Sequence, residues 1–160
     1  MKFIAILSAV VLLVALVGVG SLYMTANIYV ESTGVITMQA SARQEQFDAL
    51  SEQLRLNAVV GTAFTTDTIL GPVEDYQFCT YTVQLRNDCR IAAEMVEVQI
   101  SPMAGDVLQV GGSPIVTVQP GESAKVLAVL LTDADMHAIR EVVITYYMWG
   151  IPFTTKTTIK

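Results

Sequence analysis

The chain opens on an unbroken apolar run and ends on strict alternation of apolar and polar positions. Phe3 to Tyr23 reads FIAILSAVVLLVALVGVGSLY, twenty-one residues without a charge. As a helix rising about 1.5 Å per residue, this run spans the ~30 Å hydrocarbon core of a bilayer. Ser32-Thr33-Gly34 is a turn signal, and the short run Val35-Ile36-Thr37-Met38 after it has β-branched character. Phe47, Leu50 and Leu54 then recur at helical spacing behind Ser41-Ala42-Arg43-Gln44, which fits a capping box. An amphipathic helix is therefore expected over about 41–56, with its exit marked by Asn57 and Gly61.

From Tyr76 onward the period becomes two. Cys79, Tyr81, Val83 and Leu85 fall on one face and Thr80, Thr82 and Gln84 on the other, which predicts a half-buried strand. Asn87-Asp88 turns the chain, and Val96, Val98 and Ile100 alternate with Glu97 and Gln99. Further strands are expected at 107–110, ending at Gly111-Gly112, and at 115–118, 125–131, 141–148 and 153–159. Gln119-Pro120-Gly121-Glu122 suits a type II turn, and the last two strands join around Gly150-Ile151-Pro152. About seven short strands separated by regular turns describe a mainly β protein, an antiparallel sandwich. The chain divides into residues 1–30, a transmembrane signal-anchor helix and juxtamembrane segment, and residues 31–160, the β-sandwich domain.

Charge placement orients the membrane segment. Lys2 precedes the apolar run and no Lys or Arg follows until Arg43. The positive-inside bias then puts the N-terminus in the cytoplasm and the sandwich outside the cytosol, with Tyr23 and Tyr29 near the outer interface. Gly18-Val19-Gly20 has the small residues a signal peptidase accepts, but the run is longer than a usual signal core and continues past that site. An uncleaved single-pass anchor is the favoured reading. Ala5 and Ala9 form a small-xxx-small pair that would let two anchors pack into a homo-oligomer, although such pairs are common by chance. The net charge is −6, with every acidic residue beyond the apolar run, so the exposed part is acidic. An acidic surface excludes nucleic acid as a partner and argues against adhesion to anionic lipid through basic clusters.

Three stretches carry a family resemblance: Tyr81-Thr-Val-Gln-Leu-Arg-Asn87, Ala92-Ala-Glu-Met-Val-Glu-Val-Gln-Ile100 and Val118-Gln-Pro-Gly-Glu-Ser-Ala-Lys-Val126. Together they resemble the Ig-like and fibronectin-III-like modules, including the CARDB type, of membrane-anchored prokaryotic surface proteins, over roughly residues 76–148. The resemblance implies an Ig-like sandwich at the cell surface and assigns no catalytic residue.

Candidate chemistry is sparse. His137 is the only histidine, so a catalytic metal site rich in histidine is out of reach, and Asp133 and Asp135 beside it give too few oxygens for calcium. There is no phosphate loop, nucleophile elbow or Cys-x-x-Cys, and no cofactor is expected. The expected function is a non-enzymatic, membrane-anchored interaction or structural module with a protein partner at the cell surface. The alternative is an extracytoplasmic hydrolase or metal-dependent enzyme with a site around His137. Geometry disfavours a Cys79-Cys89 disulfide: an extended run to residue 86 travels ~23 Å and three residues return only ~10 Å, beyond the ~7 Å limit. Near the end, Val142, Ile144, Tyr146 and Met148 should face the core, which turns Tyr147 and Trp149 outward, with Phe153 across the turn. Trp149 either covers one end of the sandwich, or packs on the helix of Phe47, or joins Tyr147 and Phe153 in a partner-binding patch.

Overall fold

The computed structural model describes residues 2–25, 27–111 and 114–160. The apolar run is one helix, α1 (Lys2–Thr25), in which Phe3–Ser21 is long and apolar enough to cross a membrane and is not buried against the rest of the chain. The side chain of Tyr23 and residue Gly112 lie outside the described residues. Strand β1 (Ile28–Gln39) begins three Cα steps after Thr25, a reach of about 11 Å at most. It therefore starts inside the segment that the sequence assigned to the anchor, and is far longer than the expected run at 35–38.

Eight further strands follow: β2 (Gly61–Ala63), β3 (Tyr76–Asn87), β4 (Ala93–Ile100), β5 (Asp106–Val110), β6 (Val116–Val118), β7 (Ser123–Asp133), β8 (Arg140–Met148) and β9 (Ile151–Ile159). They form two antiparallel sheets, in the orders β1-β3-β7-β5-β2 and β6-β4-β8-β9. Lettering the seven longest strands A to G in chain order gives A-B-E-D on one sheet and C-F-G on the other, the connectivity of an immunoglobulin-type sandwich. Among the described residues nine strands stand where about seven were expected. The three-residue edge strand β2 has no alternation to betray it, and β1 was legible only in part.

The inner faces make the main core. Cys79, Tyr81, Val83 and Leu85 of β3 and Val126, Ala128 and Leu130 of β7 face Val96, Val98 and Ile100 of β4 and Val142, Ile144, Tyr146 and Met148 of β8. A second core lies on the other face of the five-stranded sheet. There Phe47, Leu50 and Leu54 of α2 (Gln44–Arg55) bury against Phe78, Val107, Leu108 and Leu131. Burying each such side chain contributes about 1.5–3 kcal/mol, so this cover stabilises the sheet it sits on. The helix begins later than expected. Ala40–Arg43 forms a 3₁₀ turn, Arg43 stands at the N-cap without a side-chain capping bond, and the capping box at Ser41 is not made. Its exit is as marked: Asn57 has a positive φ of 52°, and its N–H bonds the Leu54 carbonyl while the Ala58 N–H bonds that of Gln53, a Schellman motif.

Two polar side chains stitch the strands where the ladders stop. Strand β6 pairs with β4 only at Ala93 and Val96, leaving the rest of that edge without a strand. The Gln109 amide of β5 takes its place, accepting from the Ile100 N–H at 2.8 Å and donating to the Val98 carbonyl at 2.9 Å. Asn87 is fully buried at the end of β3. Its amide donates to the carbonyls of Ile91 and Val118, and its oxygen accepts from the Cys89 N–H. The turn at Pro120-Gly121 docks there: Gly121 donates to the Asn87 carbonyl, the Asn87 N–H bonds Glu122, and Gly121 has the positive φ, 76°, that the third position of a type II turn requires.

Candidate functional site

Strand directions decide which residues share the end of the sandwich that joins α1. Ile28 pairs with Asn87 and Arg86 with Ser123, so β1 starts, β3 ends and β7 starts there. Strand β8 runs toward the same end, where the Tyr146 hydroxyl lies 3.4 Å from the Ile28 nitrogen and 3.5 Å from the Asn27 side-chain oxygen. Three residues further on, Trp149-Gly150 forms the whole two-residue loop between β8 and β9, because Met148 pairs with Ile151. The turn is therefore earlier than the Gly150-Ile151-Pro152 placement, and Pro152 sits in edge strand β9, where its missing N–H is tolerated.

Trp149 and Gly150 have successive positive φ values of 53° and 74°, the combination a type I′ hairpin turn demands. Asn or Gly normally fills the first of these positions, and a bulky residue at positive φ is an outlier. Trp149 is 48% exposed and Ile151 is 41% exposed. Tyr147 is half-buried on the outer face of the four-stranded sheet, opposite Glu94 and Pro152. Phe153 does not join them. A two-residue loop puts it directly opposite Tyr146, and the two rings stack at 5.7 Å on the core side.

The far end carries the buried charge. Arg140 and Asp106 are both sealed from solvent and paired through two bonds, Nη2 to Oδ1 at 2.7 Å and Nε to Oδ2 at 3.1 Å. The guanidinium also donates to the carbonyls of His137 and Ile139, and the Met103 N–H donates to Asp106. Burial works against the Arg140 cation, but the bonds and charge of Asp106 outweigh it and its pKa is raised. Tyr81 donates to the Ala138 carbonyl at 2.9 Å, and burial pushes its hydroxyl well above the usual range. His137 is exposed on the loop between β7 and β8, and its carbonyl rather than its ring is engaged by Arg140. Asp133 is exposed with a raised pKa, first from partial burial and then from Asp106, Asp135 and Asp75. Among the described residues no group of three His, Cys, Asp or Glu side chains is placed to hold a metal ion.

The cysteines lie apart and are not bridged to one another. Cys79 is buried on the inner face of β3 with its sulfur 3.7 Å from the Thr37 hydroxyl. Cys89 is half-buried at the α1 end, and its Sγ donates to the Asn27 carbonyl at 3.0 Å. A feature the sequence did not suggest is a cleft of about 280 Å³ lined by Met95, Val98, Gln109, Pro114, Ile115 and Leu127. Met95 reaches it from a β-bulge, at φ 51° and 55% exposed. The bulge turns Glu94 and Met95 both outward and so breaks the alternation of β4.

No family model matches this chain, and no curated protein does. Among solved structures it is similar to a FixG-related protein from Vibrio parahaemolyticus, with 16% identity and a TM-score of 0.34, over 51% of this chain and 76% of that one. Similarity that distant leaves the site to be argued from the chain's own residues.

Proposed function

We propose that this is a non-enzymatic, membrane-anchored module held outside the cytosol, with α1 as an uncleaved single-pass anchor. The observation that carries it is the junction: only residues 26 and 27 separate the apolar helix from a strand whose first residue, Ile28, is 2% exposed in the core. The small-residue site at Gly18–Gly20 lies inside α1, not in an extended stretch after it. The immunoglobulin-type strand order supports the reading as a sandwich module. The outer face of β6-β4-β8-β9, which α2 leaves bare, is the surface offered to a protein partner, with Tyr147 upon it. Full-length protein should stay in the membrane through carbonate washing and be open to protease from outside. A mature chain starting near Ser21 on N-terminal sequencing would falsify the anchor.

A further inference from the structure

We propose that the β8–β9 hairpin tip is a second membrane contact: Trp149 enters the headgroup and upper acyl region of the same bilayer that α1 crosses. The inference rests on the anchor reading of α1. Tethering supplies the location. Thr25 and Ile28 are about 11 Å apart at most, so the sandwich end that contains Ile28 is confined to the membrane surface. Trp149 belongs to that end, three residues beyond a tyrosine whose hydroxyl reaches the Ile28 nitrogen. Composition supplies the affinity. Met148-Trp149-Gly150-Ile151-Pro152-Phe153 is uncharged, and its exposed large apolar side chains are Trp149 and Ile151. Tryptophan is the residue most at home at a membrane–water boundary, with an apolar ring body and one N–H for the headgroups.

Backbone geometry is the independent observation. A type I′ turn with Trp in its first position is held in a conformation that Asn would adopt more easily, so turn formation does not explain the residue. Residues held in sparsely populated backbone regions cluster at functional sites. The neighbouring loops carry exposed Asp88, Arg90 and Glu122, so the end as a whole is not apolar and only the hairpin enters. Two contacts, one covalent through α1 and one through the tip, would restrict the tumbling of the sandwich and hold its bare sheet face at a set angle to the bilayer.

The test needs no substitution, because Trp149 is the single tryptophan of the chain. The full chain is placed in lipid nanodiscs whose scaffold protein lacks tryptophan, so that both faces are open to solvent. The expected result is blue-shifted emission that loses most of its intensity to bromines carried high on the acyl chains and little to aqueous iodide. Water-like emission, quenched by iodide and indifferent to brominated lipid, overturns the inference and returns Trp149 to a surface for a protein. A chain that separates from the discs overturns the anchor reading as well. A chain that stays with a water-exposed tryptophan overturns only the membrane contact.

Discussion

The two ends of the sandwich are fastened in opposite ways. At the far end, an arginine and an aspartate without solvent contact hold the start of β8 to the start of β5, and backbone carbonyls of the 134–139 loop converge on Arg140 and Tyr81. At the end that joins α1 the fastener is neutral: the Asn87 amide ties the loop between β3 and β4 to the end of β6 through backbone groups. That end also leaves a tryptophan exposed in a strained turn. Buried charge gives specificity of arrangement and becomes costly when half of it is lost, whereas an amide network fails more gently. The rigid fastening thus lies at the end away from α1 and the strained, exposed residue at the end that joins it.

Breaking the far end should have the largest effect. Arg140→Met leaves Asp106 buried without its cation, and removing one partner of a buried pair destabilises by about 3–5 kcal/mol. Residues 27–160 suit the measurement by urea unfolding, since both cores lie within them and the apolar stretch of α1 is not buried against the sandwich. The double change Arg140→Met with Asp106→Leu should recover much of that loss. A single variant within about 1 kcal/mol of the parent would remove the contrast between the ends.

At the other end, Asn87→Ala strands the Ile91 and Val118 carbonyls and the Cys89 N–H. An unsatisfied buried polar group costs about 1–3 kcal/mol, and water can reach the half-buried Cys89 loop, so the total should stay near 2–3 kcal/mol. Amide exchange sharpens the test. Protection should fall around residues 88–92 and 119–122 while the 134–139 loop keeps its own. Loss spread evenly over both ends would mean that they unfold as one unit.

Both fasteners carry the parity of a core face, although the sequence reading put Asn87 in a turn and began the strand at Glu141, after Arg140. Arg140 has the parity of Val142, Ile144, Tyr146 and Met148, and Asn87 that of Cys79, Tyr81, Val83 and Leu85, so alternation alone places a charge and an amide on the inner face. The sheet strands and the Phe47-Leu50-Leu54 stripe were legible for the same reason, a repeat sustained over several turns or pleats. Features decided by pairing were not. The bulge at Met95 depends on what β8 does opposite it, and the start of β1 hides where the apolar helix ends. The Gly150-Ile151-Pro152 signal drew the turn too late, because Pro152 is accommodated in an edge strand. That error also put Phe153 beside Tyr147, when a two-residue loop sends it to Tyr146.

The smallest stability effect is the most telling about the α1 end. Trp149→Asn supplies the residue that the first position of a type I′ turn prefers and removes a bulky side chain from positive φ. A non-glycine residue in the left-handed region is disfavoured by about 1–2 kcal/mol, and Asn by less, so the variant of residues 27–160 should be more stable by about 0.5–1 kcal/mol. In thermal unfolding this is a rise of a few degrees for a domain of this size. A tryptophan that capped the core would behave in the opposite way, since truncating a buried one costs about 3–5 kcal/mol. A variant that melts higher means that the native residue is kept against the preference of its own turn, and the reason for keeping it then lies outside the fold. A variant that melts much lower makes Trp149 part of the packing and erases the contrast between a fastened end and an end left open.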